Sequence, residues 1–490
     1  MNEIRIEVRS GAYRDSVSLL EVSRAVAQTP GVEDAIVAMG TPLNVDLMRE
    51  LGFVLDNPSA NDLIIAIRAA DKETIEAALA AMNAEFVAID RRARASGGDS
   101  AVAPPRTVGR SHDSDLALIS VPGSGAFAEA VDALESGQSV MLFSDNVPIW
   151  QEIVLKDLAA KLDLLVMGPD CGTAVIDGVG LGFANVVTPG PIGIVAASGT
   201  GAQHVVSLLD LAGVGITHCI GVGGRDLSRE VLGRSTMSAL DALAEDVNTK
   251  AIVLISKPPA PEAADLVRKR TATMSKPVIF AMLGEGSPDL TRATEEILRT
   301  IGAPIPTWPS WGKVPSQASG KYLRGLYSGG TVCDESMVIA AKELGAVYSN
   351  IPLKPEWRHD PFARSKENTF IDFGDDAMTV GRAHPMIDPT LRIERFRKEV
   401  ADLNCGVIIL DVVLGHGADP DPASALAPAI REATSQRSVP VIVALIGSSG
   451  DPQGLEKQAK SLSDAGAYVT VSNATAVRTA ISLIKAREAS

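Results

Sequence analysis

An apolar run, a glycine-rich loop and a segment of helical period follow one another in the same order twice along this chain. One copy reads PIGIVAASGTGAQHVVSLLDLAG, THCIGVGGRD, KAIVLISKPP and KPVIFAMLG; the other reads LRGLYSGGTVCDESMVIAAKELG, NTFIDFGDD, CGVIILDVVLGHG and VPVIVALIG. Short apolar runs without period-2 alternation, joined by helical segments, mark strands of a parallel sheet covered on both faces. Ligands of such sheets lie beyond the strand C-termini, where every glycine-rich loop of both copies falls.

Each copy is therefore expected to be a doubly wound, flavodoxin-like domain, over residues 190–318 and 319–490. Residues 114–189 hold a βαβαβ succession, DLALISVPG to DLLVMGPDCG, that reads as a Rossmann-like unit. Its Pro122-Gly123-Ser124-Gly125 turn lacks the third glycine of a dinucleotide fingerprint and reads as a tight turn. Residues 1–91 alternate strand-like and helix-like patterns, as in a small ferredoxin-like α/β domain, and 92–113 have the Gly, Pro, Ser and Arg content of a linker. A length of 490 residues accommodates these domains.

Composition narrows the function. A net charge of -15 argues against a nucleic-acid partner. Four scattered cysteines without C-x-x-C spacing point to reduced thiols and a cytoplasmic location, with no metal site. No signal peptide and no apolar run of about 18 residues is evident, so no membrane association is expected.

Chemistry should sit on the loops. Ser198-Gly199-Thr200-Gly201 and Ser328-Gly329-Gly330-Thr331 each open a helix, where N–H groups and the helix dipole favour an anion. Facing one another across a pseudo-twofold axis, they would hold a phosphate from both sides. Gly223, Gly224 and Arg225 are candidates for a substrate carboxylate, against the alternative that Arg225 braces its loop through Asp226. Lys257 and Arg382 could supply positive charge to substrate, and His384 and His416 are candidate acid–base groups, with Asp411 as an orienter of His416. His204 faces either the phosphate or solvent; Cys171 reads as a buried structural thiol rather than a nucleophile.

GIVAASGTG resembles the phosphate-facing helix start of the succinyl-CoA synthetase α subunit, VMGPDCGTAVI the close of its CoA-binding domain, and the second copy the β subunit's ligase domain. More closely, MGPDCGTAVIDGVGLGFANVV, SGTGAQ, GVGGRDLS, VLISKPP, YSGGTVCDE, GRAHPMID and LDVVLGHGADPDPA together resemble the FdrA family, from about residue 115 onward. Two departures from the synthetase stand out: EGSPDLTRATEEIL carries no histidine loop, and no ATP-grasp domain precedes the second copy. The FdrA resemblance implies an oxamate carbamoyltransferase subunit of allantoin breakdown, with phosphate or carbamoyl phosphate as substrate and other subunits encoded nearby; no certain cofactor is indicated, and a homo-oligomer is also expected. The alternatives are an acyl-CoA synthetase, with CoA on the Rossmann-like unit and nucleotide on a partner chain, and a non-catalytic scaffold.

Overall fold

The computed structural model describes residues 3–10, 12, 14, 16–55, 58–59, 62–95, 109–110, 112–284 and 286–488. They divide into two bodies, 1–103 with 376–384, and 104–375 with 385–490.

In the N-terminal body, β1 (Glu3–Arg9), α1 (Ser16–Ala27), β2 (Val32–Met39), α2 (Pro42–Glu50), β3 (Leu63–Ala69) and α3 (Lys72–Ala95) follow in turn. The sheet is antiparallel in the order β1-β3-β2. Its central strand is buried on both faces: Leu63, Ile65 and Ile67 pack with Val22 of α1 and Met82 of α3, whereas Ile64 and Ala66 pack with Met48 of α2 and with Phe53. This is the order of a ferredoxin-like plait with α2 inserted and, among the described residues, no fourth strand. The same body takes in residues 376–384, where Asn44 Nδ2 donates to Gly381 O at 2.9 Å. α3 runs through residues 92–95, and most of the segment expected as a linker, 96–108 and 111, lies outside the described residues.

The second body begins with β4 (Leu116–Ile119), α4 (Gly123–Glu135), β5 (Ser139–Leu142), α5 (Ile149–Lys161) and β6 (Val166–Met167), a parallel three-stranded sheet in the order β4-β5-β6. Gly123 abuts the Asp145 carbonyl so closely that any side chain would collide, as a tight turn requires.

Next come the hairpin β7 (Thr173–Ile176) and β8 (Val179–Gly182), then β9 (Pro189–Ala197), α6 (Gly199–Leu211), β10 (Ile216–Gly221), α7 (Arg234–Glu245), β11 (Ala251–Ser256), α8 (Pro261–Thr271), β12 (Val278–Met282) and α9 (Leu290–Thr300). The sheet order is β12-β11-β9-β10-β7-β8. The last stretch holds β13 (Ser310–Trp311), β14 (Tyr322–Tyr327), α10 (Gly330–Leu344), β15 (Tyr348–Ser349), β16 (Thr369–Asp372), α11 (Asp376–Thr379, counted with the N-terminal body), α12 (Thr390–Ala401), β17 (Cys405–Val413), α13 (Pro422–Gln436), β18 (Val441–Ile446), α14 (Leu455–Asp464), β19 (Tyr468–Thr470) and α15 (Asn473–Glu488). Its sheet order is β13-β19-β18-β17-β14-β16-β15.

Every residue of β11 and β17 is buried, which explains why their text is apolar but for Ser256 and Asp411. In each sheet the first strand of the copy, β9 or β14, lies between later strands, β10 and β11 or β16 and β17. Crossovers leave such a strand toward both sides, opening a crevice at its C-terminal end. The loops 198–201 and 328–331 occupy those two crevices. A single apolar cluster, including Ala202 and Val205 of α6, Val332 and Met337 of α10 and Val477 of α15, binds the two doubly wound domains together.

Candidate active site

The site grows from the ends of β9 and β14. Ser198 is extended, and its Oγ caps α6 by accepting from Gly201 N at 2.9 Å. The same hydroxyl donates to Thr331 Oγ1 at 2.6 Å, a buried bond that ties the first turn of α6 to the first turn of α10. The loops touch residue by residue. A Cβ on Gly329 would lie 2.5 Å from Thr200 Cγ2, and one on Gly201 3.0 Å from Thr331 Cγ2. The small residues let two helix N-termini meet, and both loops expected to hold phosphate come together here.

Their donors are not all available. Ser328 N and Gly329 N donate to Asp411 at 2.7 and 2.9 Å, and Ser328 Oγ adds a third bond to it at 2.9 Å. Arg392 Nη1, also buried, completes the carboxylate's shell at 2.6 Å. Burial raises the Asp411 pKa, with Arg392 and the loop donors acting in the opposite direction. The N–H groups of Gly199, Thr200, Gly330 and Thr331 keep no protein partner among the described residues. Ser328 and Gly329 thus shape the loop, while these other positions can offer donors to an anion at the positive ends of two helix dipoles.

Charged groups crowd the α10 end. A Cβ on Gly330 would lie 2.8 Å from Asp372 Oδ2 and 3.1 Å from Lys257 Nζ. Burial pushes the Asp372 carboxyl up to about 7 and that of Asp334 up to about 6, against the pull of Lys257. Burial acts to lower the Lys257 pKa, yet Asp334, Asp372, Asp170 and Asp375 together hold it above the usual lysine value. Lys257 is among the candidates expected from the sequence, whereas Asp334 and Asp372 are not; the apolar TFID run that ends in Asp372 hints at the burial that distinguishes it.

Other candidates fall elsewhere. Arg225 Nη2 is engaged by Val147 O at 2.8 Å and Glu152 Oε2 at 3.0 Å. It braces its loop against α5, while Asp226, the partner considered for it, holds Lys156 at 2.7 Å. This arrangement corrects the reading of Arg225 as a carboxylate ligand. Gly223, with φ +88, packs directly on Pro169 O, and a Cβ on Gly224 would come 3.6 Å from Asp170 Oδ2. His416 is exposed, with its backbone N donating to Ala184 O at 2.8 Å. Both Asp411 oxygens are spent on the 328–329 loop and Arg392, so Asp411 does not orient His416. Arg382 and His384 lie in the segment counted with the N-terminal body, not in the body that carries α6 and α10. His204 is buried against Val471 O, and burial lowers its pKa to about 4, so it is a neutral core residue. Cys171 is buried as well, its thiol pushed up to about 12.

Comparison with known proteins adds a second kind of observation. Residues 326–483 match the CoA-ligase family, 188–282 the CoA binding domain family, and 1–104 the family described as AllF, heavy metal-associated domain. The CoA-binding match covers the first doubly wound domain rather than the Rossmann-like unit. Residues 1–104 contain neither Cys nor His, so the thiol and imidazole ligands of a soft-metal site are missing there. The "Uncharacterized protein YahF" of Escherichia coli (strain K12) is 38% identical, covering 96% of each chain. The α subunit of succinate–CoA ligase [ADP-forming] from Methanothermobacter thermautotrophicus is 28% identical over 179 residues, 36% of this chain and 59% of that subunit. A solved structure of dinucleotide-forming acetyl-coenzyme A synthetase 1 from Ca. Korarchaeum cryptofilum, in complex with phosphate and ADP, is 17% identical, covers 80% of this chain and 87% of its own, and has a TM-score of 0.31; so distant a likeness carries no functional statement. The matches overturn the carbamoyltransferase expectation: the domains that frame the helix ends are of CoA-binding and CoA-ligase kinds, the acid–thiol ligase class, and nothing in them supports carbamoyl transfer or allantoin breakdown. Among the described residues no helix is long and apolar enough to cross a membrane.

Proposed function

The chain belongs to the family of Escherichia coli YahF, and on that premise we propose that it is an acid–thiol ligase subunit of the acyl-CoA synthetase type, handling an acyl phosphate where α6 meets α10. The AllF match over residues 1–104 supports the finer placement among FdrA-type subunits. The observation that carries the reading is the buried Ser198–Thr331 hydrogen bond, which sets two helix N-termini against each other between domains of CoA-binding and CoA-ligase kinds.

The free N–H groups of Gly199, Thr200, Gly330 and Thr331 would take phosphate oxygens, and Lys257 would offset charge on the phosphate as it leaves an acyl carbon. Donors fixed in helix ends need no reorganisation as that charge develops, and the interlocked loops supply the proximity. CoA, when bound, supplies the thiol that accepts the acyl group. Nucleotide is assigned to a partner chain, where ADP would take the phosphoryl group directly from the acyl phosphate, because the loop after β12 carries no histidine for a phosphoryl relay.

The purified chain should be incubated with acetyl-CoA or succinyl-CoA and inorganic phosphate, without nucleotide, and acyl phosphate trapped as its hydroxamate. Trapped acyl phosphate is the expected outcome. Its absence with both thioesters, persisting after ADP and the neighbouring gene products are added, would refute the ligase reading.

A further inference from the structure

At the mouth of α10, Lys257 Nζ, the Asp334 carboxylate and Asp372 Oδ2 make no hydrogen bond to any described residue, and no two of them form an ion pair within bonding reach. Asp372 is 3% exposed and Asp334 7%. Buried charges are ordinarily paired and hydrogen-bonded, because desolvation otherwise goes uncompensated. Asp372 is fixed on one side only: its Oδ1 accepts from Gly374 N at 2.9 Å, and its backbone N donates to Asn350 Oδ1 at 3.0 Å. The free Oδ2 is thereby aimed at Gly330, beside the unpartnered donors of the first turn of α10.

The titratable groups around Asp372 come from four places. Lys257 projects from the turn after β11, Asp375 from the loop after β16, Asp334 and Cys333 from α10, and Tyr327 from the neighbouring strand β14. Burial drives Cys333 and Tyr327 far upward, so both stay neutral. Asp170 acts on Lys257, and Asp411 is already neutralised by Arg392. Lys257 is the cation acting on Asp372 against the carboxylates of Asp334 and Asp375, so with Asp334 and Asp372 both ionised a dianion arriving at the helix ends meets net repulsion. Protonating the carboxyl nearest the helix end, Asp372, removes the closest part of that repulsion.

Resting on the anion site proposed above, we propose that Asp372 is the proton-accepting group of that site: a tetrahedral dianion reaching the ends of α6 and α10 brings one proton onto Oδ2, which is released when the anion departs. The group is already close to taking a proton near neutrality, because burial holds it at about 7. For a carboxyl so raised, the ionised form dominates above that pH, and anion affinity falls as pH rises through it.

Sulfate is a suitable probe because it does not titrate near neutrality. The full-length protein should be titrated calorimetrically with sulfate at about pH 8 in two buffers of different ionisation enthalpy, with uptake of about one proton per sulfate expected and affinity falling about tenfold per pH unit above neutrality. Asp372→Asn should bind sulfate at least as tightly, with no proton uptake and a flat pH profile, whereas Asp334→Asn should keep the coupling. Wild-type binding without proton uptake would overturn the inference while leaving the anion site standing, as would coupling that survives in Asp372→Asn. Failure of the wild type to bind either sulfate or phosphate would instead remove the anion site itself. If Asp372→Asn does not fold, the buffer dependence of the wild type and of Asp334→Asn decides the matter.

Discussion

Asp411 shows how much a single side chain can settle. It reaches from β17 to take Ser328 N, Ser328 Oγ and Gly329 N, and it neutralises the buried Arg392. Asp411→Ala would leave a buried guanidinium uncompensated, and a loss of about 3–5 kcal/mol is expected, read as a lower denaturant midpoint at unchanged slope. None of this was legible in the sequence, where an Asp inside an apolar run next to a Gly-His-Gly loop looked like a partner for His416. The bond that decides its role joins residues 83 positions apart. Arg225 was misread for the same reason: the adjacent Asp226 was visible in the text, but the operative Glu152 sits on a helix of another sheet.

At the scale of elements the sequence was far more transparent. Buried parallel strands leave unbroken apolar runs, and strand-to-helix turns at a switch point demand small residues, so the two copies and their paired loops could be found without coordinates. What spacing could not reveal was which small residue is sterically required. A Cβ on Gly199 meets nothing nearer than Thr173 Oγ1 at 3.5 Å, whereas one on Gly329 runs into Thr200. If phosphate binds where the loops meet, it should raise the melting temperature; Gly329→Val should force α6 and α10 apart and abolish that rise, while Gly199→Ala should retain it. Equal loss in both variants would mean that the loops act by flexibility rather than by contact. The acids Asp334 and Asp372 escaped notice because exposed carboxylates are common at strand ends and helix starts, and only burial sets these two apart.

As a whole molecule the protein has separate cores in its two bodies, so its heat unfolding should show more than one transition. Asn44 gives a handle on the smaller body: its Nδ2 serves both Met39 O at 2.8 Å and Gly381 O at 2.9 Å. Asn44→Ala should cost about 1–3 kcal/mol, seen in differential scanning calorimetry as a downward shift of the N-terminal transition alone. A shift of every transition together would mean that the bodies unfold as one. The contribution of residues 376–384 also has a consequence in time. During synthesis the stretch ending at Ala95 leaves the ribosome roughly 280 residues before its last piece does, a delay of roughly 15–60 s at bacterial elongation rates. For that interval the first body to emerge waits unfinished, with Asn44 lacking Gly381 as a partner, and its completion reports that most of the ligase portion has already been made.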